Sequence, residues 1–271
     1  MLLQSTTGAT LPSRHVIGVF DSGLGGLSVV REILRLAPGS SILYFGDRAW
    51  APYGERSLAD VRARSERVTD HLLAAGADTM VIACNTASAA ALNHLRARHA
   101  GVPFVGMEPA VKPAAAVTRS GTIGVLATPA TFQGELYASV VDRFATGLEV
   151  LDAPCPGWME MVESPPPEDI VAATIRRSIE PLLERGADVL VLGCTHYPFL
   201  RHHIERIAGS GVAIIDPGEA VARQVIRIGA RRPGPFGIHV SGPADGVAAR
   251  VRDLTGLAPP IHAVTLRDSV S

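Results

Sequence analysis

Apolar residues in this chain come in short blocks: VIGVF (16–20), ILYF (42–45) and TMVIAC (79–84), separated by the amphipathic stretches LSVVREILRL (27–36) and Ser57 to Ala74. Short apolar runs alternating with amphipathic ones predict buried parallel strands separated by helices, hence an α/β fold. Ser57 followed by Asp60 predicts a capping box for the longer helix, and Gly76 its end. Residues Met1 to Ser13 are small and polar without a period, and are expected to form a disordered extension.

The pattern also repeats. Gly76-Ala77-Asp78-Thr79-Met80-Val81-Ile82-Ala83-Cys84 matches Gly186-Ala187-Asp188-Val189-Leu190-Val191-Leu192-Gly193-Cys194 at a constant offset of 110 positions. Val102-Pro103-Phe104-Val105 relates to Val212-Ala213-Ile214-Ile215 at the same offset, and Ile17-Gly18-Val19 to Ile123-Gly124-Val125 at 106. Two pseudo-symmetric α/β units are predicted. Helix–turn–strand punctuation of the Gly-Ala-Asp kind is common and could arise by coincidence, but coincidence does not explain a cysteine at the same place in both copies.

Composition narrows the chemistry. The chain has 271 residues, 47% hydrophobic and 19% charged, with 25 basic and 26 acidic side chains giving a net charge of −1. Nothing global steers it towards nucleic acid or an anionic membrane, and a small-molecule partner is expected. No apolar run approaches the ~20 residues that span a bilayer, and no signal sequence is visible, so a cytoplasmic location is expected. Three cysteines spaced far apart read as thiols rather than a disulfide framework. The single lysine, Lys112, is the one candidate for any Schiff base.

Ligands of open α/β sheets bind beyond the carboxyl ends of the strands, where loops enter helix N-termini. Cys84 and Cys194 are both predicted there, each followed by hydroxyl or amide side chains and then a helix, whose N–H groups and dipole would favour thiolate and bind a carboxylate. Two thiols facing one cleft suit racemisation: one removes an α-proton and the other protonates the opposite face. Cys155 has no counterpart and is expected to be structural. Asp21, at a strand end beside Ser22 and a glycine-rich turn, reads as a site residue or as a helix cap. His196 could tune the nearby Cys194 or be an ordinary core histidine. Asp47 could cap or brace the Tyr53-Gly54 turn.

IGVFDSGLGGLSV (17–29), YFGDRAWAPYG (44–54), ACNTAS (83–88), ATPATF (127–132), CP…VE (155–163) and GCTHYP (193–198) resemble, in order, the motifs of the glutamate racemase family. These are cofactor-independent enzymes making D-glutamate for bacterial peptidoglycan. The resemblance implies acid/base roles for Cys84 and Cys194, assisted by Asp21 and His196. It implies substrate contacts from Asp21, Ser22, Tyr53, Gly54, Asn85, Thr86, Thr128, Thr131, Thr195 and His196, with supporting roles for Asp47 and Glu163. A histidine at 196, where related aspartate racemases carry glutamate, implies glutamate as substrate. The resemblance further implies no cofactor or metal, a homodimer, and an active site between two domains of 14–107 plus 217–271 and of 108–216. Segments 106–110 and 231–235 depart from the family pattern, and CPGWMEMVE (155–163) matches it loosely.

Other readings stay open. Gly23-Leu24-Gly25-Gly26 after a strand, with Asp47 at the next strand end, resembles a dinucleotide fingerprint, but Ser28 replaces the third glycine and Asp21 would face the pyrophosphate. A pyridoxal-phosphate racemase would depend on Lys112. A two-lobed binding protein would carry no chemistry, and aspartate remains an alternative substrate.

Overall fold

The computed structural model describes residues 15–229 and 233–266; the expected extension at 1–13 and part of the 231–235 stretch lie outside the described residues. The first unit runs β1 (Val16–Asp21), α1 (Leu27–Leu36), β2 (Ile42–Gly46), α2 (Leu58–Ala74), β3 (Ala77–Ile82), α3 (Asn85–Arg98), β4 (Phe104–Gly106). The second runs α4 (Val111–Val117), β5 (Thr122–Ala127), α5 (Pro129–Phe132), α6 (Glu135–Phe144), β6 (Glu149–Pro154), α7 (Trp158–Glu163), α8 (Glu168–Glu184), β7 (Val189–Leu192), α9 (Arg201–Ala208), β8 (Ala213–Ile215). The chain continues with α10 (Gly218–Arg227), β9 (Phe236–Ser241), α11 (Val247–Thr255) and β10 (Ile261–Val264).

Two parallel sheets result, ordered β10-β9-β2-β1-β3-β4 and β6-β5-β7-β8. The arrangement β2-β1-β3-β4 recurs as β6-β5-β7-β8, and the recurrence extends to register. Ile17 to Phe20 pair with Thr79 to Ile82, and Ile123 to Leu126 with Val189 to Leu192, so the offsets of 106 and 110 carry one pairing onto the other. Common punctuation would repeat a Gly-Ala-Asp triplet but would not preserve register. The helices follow the same rule: α2 and α8 each span 17 residues, and 110 positions separate Leu58 from Glu168. Both are followed by a glycine in the left-handed region, Gly76 at φ +98° and Gly186 at φ +85°, a conformation that costs glycine least. Ser57 caps α2 as predicted, its Oγ accepting from Asp60 N–H at 3.1 Å.

Apolar faces account for the layering. Phe20, Met80 and Ile82 pack with Val61, Val68 and Leu72 of α2 and with α3 on one side of the first sheet. Ile123, Val125, Val189 and Val191 pack with α4 and α6 on one side of the second. The remaining faces share a continuous core, in which Ile17, Val19 and α1 meet α10 and α11, and Leu190, Leu192 and Leu126 meet Ile175 and Ile179 of α8. The C-terminal strands β9 and β10 extend only the first sheet, beyond β2. Among the described residues no helix is long and apolar enough to cross a membrane.

Close packing marks two matched glycines. A Cβ on Gly18 would lie 2.8 Å from Met80 Sδ and 3.4 Å from Leu72 Cβ; one on Gly124 would lie 2.7 Å from both Leu190 Cδ2 and Leu182 Cδ1. Leu72 and Leu182 are themselves 110 positions apart. Gly18→Val or Gly124→Val should therefore each destabilise the protein by about 1–3 kcal/mol through overpacking. Urea unfolding measures this, and unchanged midpoints would contradict the packing described.

Candidate active site

The carboxyl ends of β1, β3 and β7 place Asp21, Cys84 and Cys194 at one cleft, and the β1–β3 and β5–β7 registers, continued past the strands, set Ser22 beside Cys84 and Thr128 beside Cys194. Cys84 is the N-cap of α3; its Sγ accepts from Ala87 N–H at 3.4 Å and lies 4.0 Å from Ser22 Oγ. Burial pushes this thiol well above its ordinary value of 9.0, the Asp21 carboxylate adds to the shift, and the Ala87 N–H opposes it. Cys84 therefore holds its proton.

Cys194 differs. A helix start was expected behind each thiol, but after Cys194 a 3₁₀ turn, Tyr197–Leu200, intervenes before α9. Pro198 has no N–H to offer there. What faces Cys194 is His196, whose Nδ1 is 3.8 Å from Sγ. The other nitrogen, Nε2, is 3.0 Å from Glu163 Oε1, and Glu163 Oε2 is 3.7 Å from Arg48 Nε. Burial penalises the His196 cation, yet the contacts with Cys194 and Glu163 outweigh it and hold the pKa well above 6.5. Burial also works against the Glu163 carboxylate, but His196, Leu24 N–H and Arg48 bring its pKa below 4.5.

The glycine-rich turn now has a reason. A Cβ on Gly23 would collide with the Glu163 carboxylate, and one on Gly25 with the His196 ring. These glycines make room for side chains of the second unit, and Asp47 is fully buried and hydrogen-bonded, so the dinucleotide reading loses both of its anchors. Lys112 lies over the Phe144 ring at 5.2 Å, outside the cleft lining, which removes the Schiff-base reading.

Asp21 is 0% exposed. Its Oδ2 accepts from Gly23 and Gly26 N–H, and its Oδ1 from Thr195 Oγ1 at 3.2 Å, so it both caps its own turn and ties the two units together. Burial raises its pKa against the pull of His196 and the two amides. Thr86, Thr128 and Thr131 form a second tie: their hydroxyl oxygens lie 2.9 to 3.4 Å apart. Asn85 is 3% exposed, and neither its Nδ2 nor its Oδ1 has a protein partner. Buried amides are nearly always hydrogen-bonded, so Asn85 stands out on the cleft wall.

Of the residues singled out from sequence, Ser22, Tyr53, Gly54, Thr86, Thr128 and Thr195 join Asp21, Asn85, His196 and the two thiols on the cleft wall. Thr131 stands behind Thr86 and Thr128. The Tyr53 hydroxyl turns away from the cleft and donates to Asp47. Asp47 and Glu163 are off the wall, Glu163 behind His196 and Asp47 behind Tyr53. Sequence reasoning missed Met159 and Gly193. Gly193 could have been found from the repeat, since it matches Ala83; a Cβ there would sit 2.9 Å from Ala127 Cβ. Met159 carried no signal beyond lying inside CPGWMEMVE. Cys155 is buried, donates to Ala153 O, and is pushed up to about 12 by that burial, as an inert structural thiol would be.

The Glu163–His196 pair should stabilise the fold most between about pH 4.5 and 6.5, where both unfolded-state groups are charged. Its contribution falls as acid protonates Glu163, and falls again as pH rises through the elevated His196 value. Glu163→Gln should lower the His196 pKa in an NMR titration and cost most stability inside that window. A His196 pKa unmoved by the substitution would contradict the pairing.

The Asp/Glu/hydantoin racemase family matches residues 17–225 of the chain. A glutamate racemase of Ectopseudomonas mendocina is 50% identical over 217 residues, covering 80% of this chain and 82% of the relative. Among solved structures, Escherichia coli glutamate racemase in complex with L-glutamate and the activator UDP-MurNAc-ala superposes with a TM-score of 0.84 at 29% identity, covering 94% of this chain and all of the other. Glutamate racemase from Francisella tularensis in complex with D-glutamate gives a TM-score of 0.81 at 27% identity, covering 94% of this chain and 98% of that one. With its repeated α/β units and paired thiols, this chain belongs to the Asp/Glu/hydantoin racemase family.

Proposed function

We propose that the chain interconverts L- and D-glutamate by passing a proton across the α-carbon between Cys84 and Cys194. The observation that carries this reading is the pair of thiols at matched positions of two pseudo-symmetric sheets on one cleft. Relatives that are glutamate racemases, one solved with L-glutamate and one with D-glutamate, support the substrate.

The chemistry starts from the state in which Cys84 carries a proton. Cys194, as thiolate, removes the α-proton; the Cα–H bond breaks and leaves a carbanion, which takes the Cys84 proton on its opposite face. The reverse hand reverses the roles. His196, held protonated, stands where its Nδ1–H can donate to Cys194 Sγ. Asn85 offers the substrate an amide donor and acceptor, with Thr86, Thr128 and Thr195 beside it. Neither cofactor nor metal enters these steps. In the same reading the chain forms two domains, 14–107 with 217–271 and 108–216, acts as a cytoplasmic homodimer and supplies D-glutamate for peptidoglycan.

Cys84→Ala and Cys194→Ala should each lower racemisation at least ~10²-fold, the usual scale of a positioned acid or base, with the fold intact by circular dichroism. In heavy water each single variant should exchange the α-hydrogen of one enantiomer at most. Racemisation by the double variant would end the two-thiol mechanism, and a wild-type protein that bound glutamate without exchange would be a binding protein. Turnover of aspartate in preference to glutamate would reassign the substrate.

The unlike surroundings of the thiols have a defined kinetic consequence. The equilibrium constant of racemisation is unity, so kcat/KM must be equal for the two enantiomers, and asymmetry shows only in kcat and KM separately. Both parameters should differ between L- and D-glutamate by one common factor. Identical kcat and identical KM would mean that the site is functionally symmetric.

A further inference from the structure

The segment from Arg48 to Arg56 leaves the first sheet and brings Tyr53 and Gly54 to the cleft wall. On its far side it presses on the second unit: a Cβ on Gly54 would lie 2.8 Å from Thr128 Cβ. On its near side it hangs from one buried carboxylate. Asp47 Oδ2 accepts from Tyr53 Oη at 2.7 Å and from Arg64 Nε at 2.7 Å, and Oδ1 accepts from Arg64 Nη2 at 2.7 Å and Ser241 Oγ at 2.6 Å. Ser241 Oγ also accepts from Ala49 N–H at 2.9 Å. Three elements, α2, β9 and the end of β2, thus converge on a carboxylate that does not line the cleft.

We infer that Arg64 and Ser241 are positioning residues that, through Asp47, latch the 48–56 segment and set the distance between the Tyr53-Gly54 wall and Thr128. The inference rests on the proposed reaction for its kinetic consequence only. Arg64 presents two N–H groups in a fixed fork to the two oxygens of Asp47, leaving Oδ2 correctly aimed at the Tyr53 hydroxyl. Its side chain is 11% exposed, so water cannot easily replace it. Tyr53 is pinned at its hydroxyl while it lines the cleft wall. A serine contributed by β9, some 194 positions after Asp47, gives the C-terminal strand a part in shaping the site.

Arg64→Lys keeps the charge and loses the fork; Ser241→Ala removes one hydroxyl with almost no change in volume. Both should leave the urea midpoint close to the native value. In Arg64→Lys, amide hydrogen exchange in peptides covering 48–56 should accelerate about tenfold, matching the loss of one charge-assisted hydrogen bond. KM should rise by a similar factor for both enantiomers, while kcat changes less. Ser241→Ala should shift both readouts the same way by a smaller amount. The latch is wrong if exchange at 48–56 and KM both stay native in the two variants, or if exchange accelerates evenly along the whole chain. Should the native protein fail to racemise glutamate, that failure falls on the proposed function, and the exchange measurement alone decides the latch.

Discussion

A carboxylate with no contact with water organises this molecule. Asp21 ends the first strand with 0% exposure, and a buried carboxylate persists only if its surroundings supply hydrogen bonds and opposite charge. The amides of Gly23 and Gly26, the Thr195 hydroxyl and the His196 cation do so. Each of these compensations has a structural consequence. The amides bend the chain into the glycine turn. Thr195 fastens the second unit to the first. His196 is drawn in beneath the turn, where Glu163 then finds it. The negative charge left on Asp21 helps Cys84 keep its proton. One desolvated charge thereby fixes the turn and the contact between halves, and weighs on the Cys84 thiol.

Symmetry and its breaking follow from the same architecture. Two sheets that share a four-strand order deliver two cysteines to equivalent strand ends, which is what a reaction on mirror-image substrates requires. Equality stops at the next residue. Cys84 opens a helix of 14 residues and receives its Ala87 amide, whereas Cys194 stands three residues before a 3₁₀ turn and receives a histidine. A helix N-terminus and an imidazole both favour negative charge on sulfur, but only the imidazole can also move a proton. The two halves of the site therefore solve one problem by different chemistry.

Much of this was legible in the sequence because it depends on period and position alone. The apolar blocks marked the strands, and the repeat predicted that Cys84 and Cys194 would share a topological address. Where the chain pointed its side chains was less legible. Nothing in YFGDRAWAPYG reveals that the Tyr53 hydroxyl turns from the cleft to Asp47, because its partners Arg64 and Ser241 are brought together only by tertiary packing. Met159 escaped notice because a thioether carries no motif. The glycine turn was legible as a turn but ambiguous in purpose: phosphate cradle and clearance for His196 and Glu163 ask for the same residues, and only the occupant distinguishes them.

The clearest mark of adaptation to a ligand is a group that makes the empty protein worse. Asn85 occupies the first turn of α3, where an apolar or small residue would pack without penalty, as Ala87, Ala90 and Ala91 do further along. Its amide is buried and lacks a protein partner at both ends, and each such group costs about 1–3 kcal/mol when left unsatisfied. Folding alone gives no reason to tolerate that. An amino acid in the cleft supplies both what Asn85 lacks: ammonium hydrogens for its oxygen and carboxylate oxygens for its nitrogen. Asn85 follows Cys84 directly, and both line the same cleft. On the proposed reaction, the same residue would turn an unsatisfied amide into a means of orienting an α-carbon between two sulfurs.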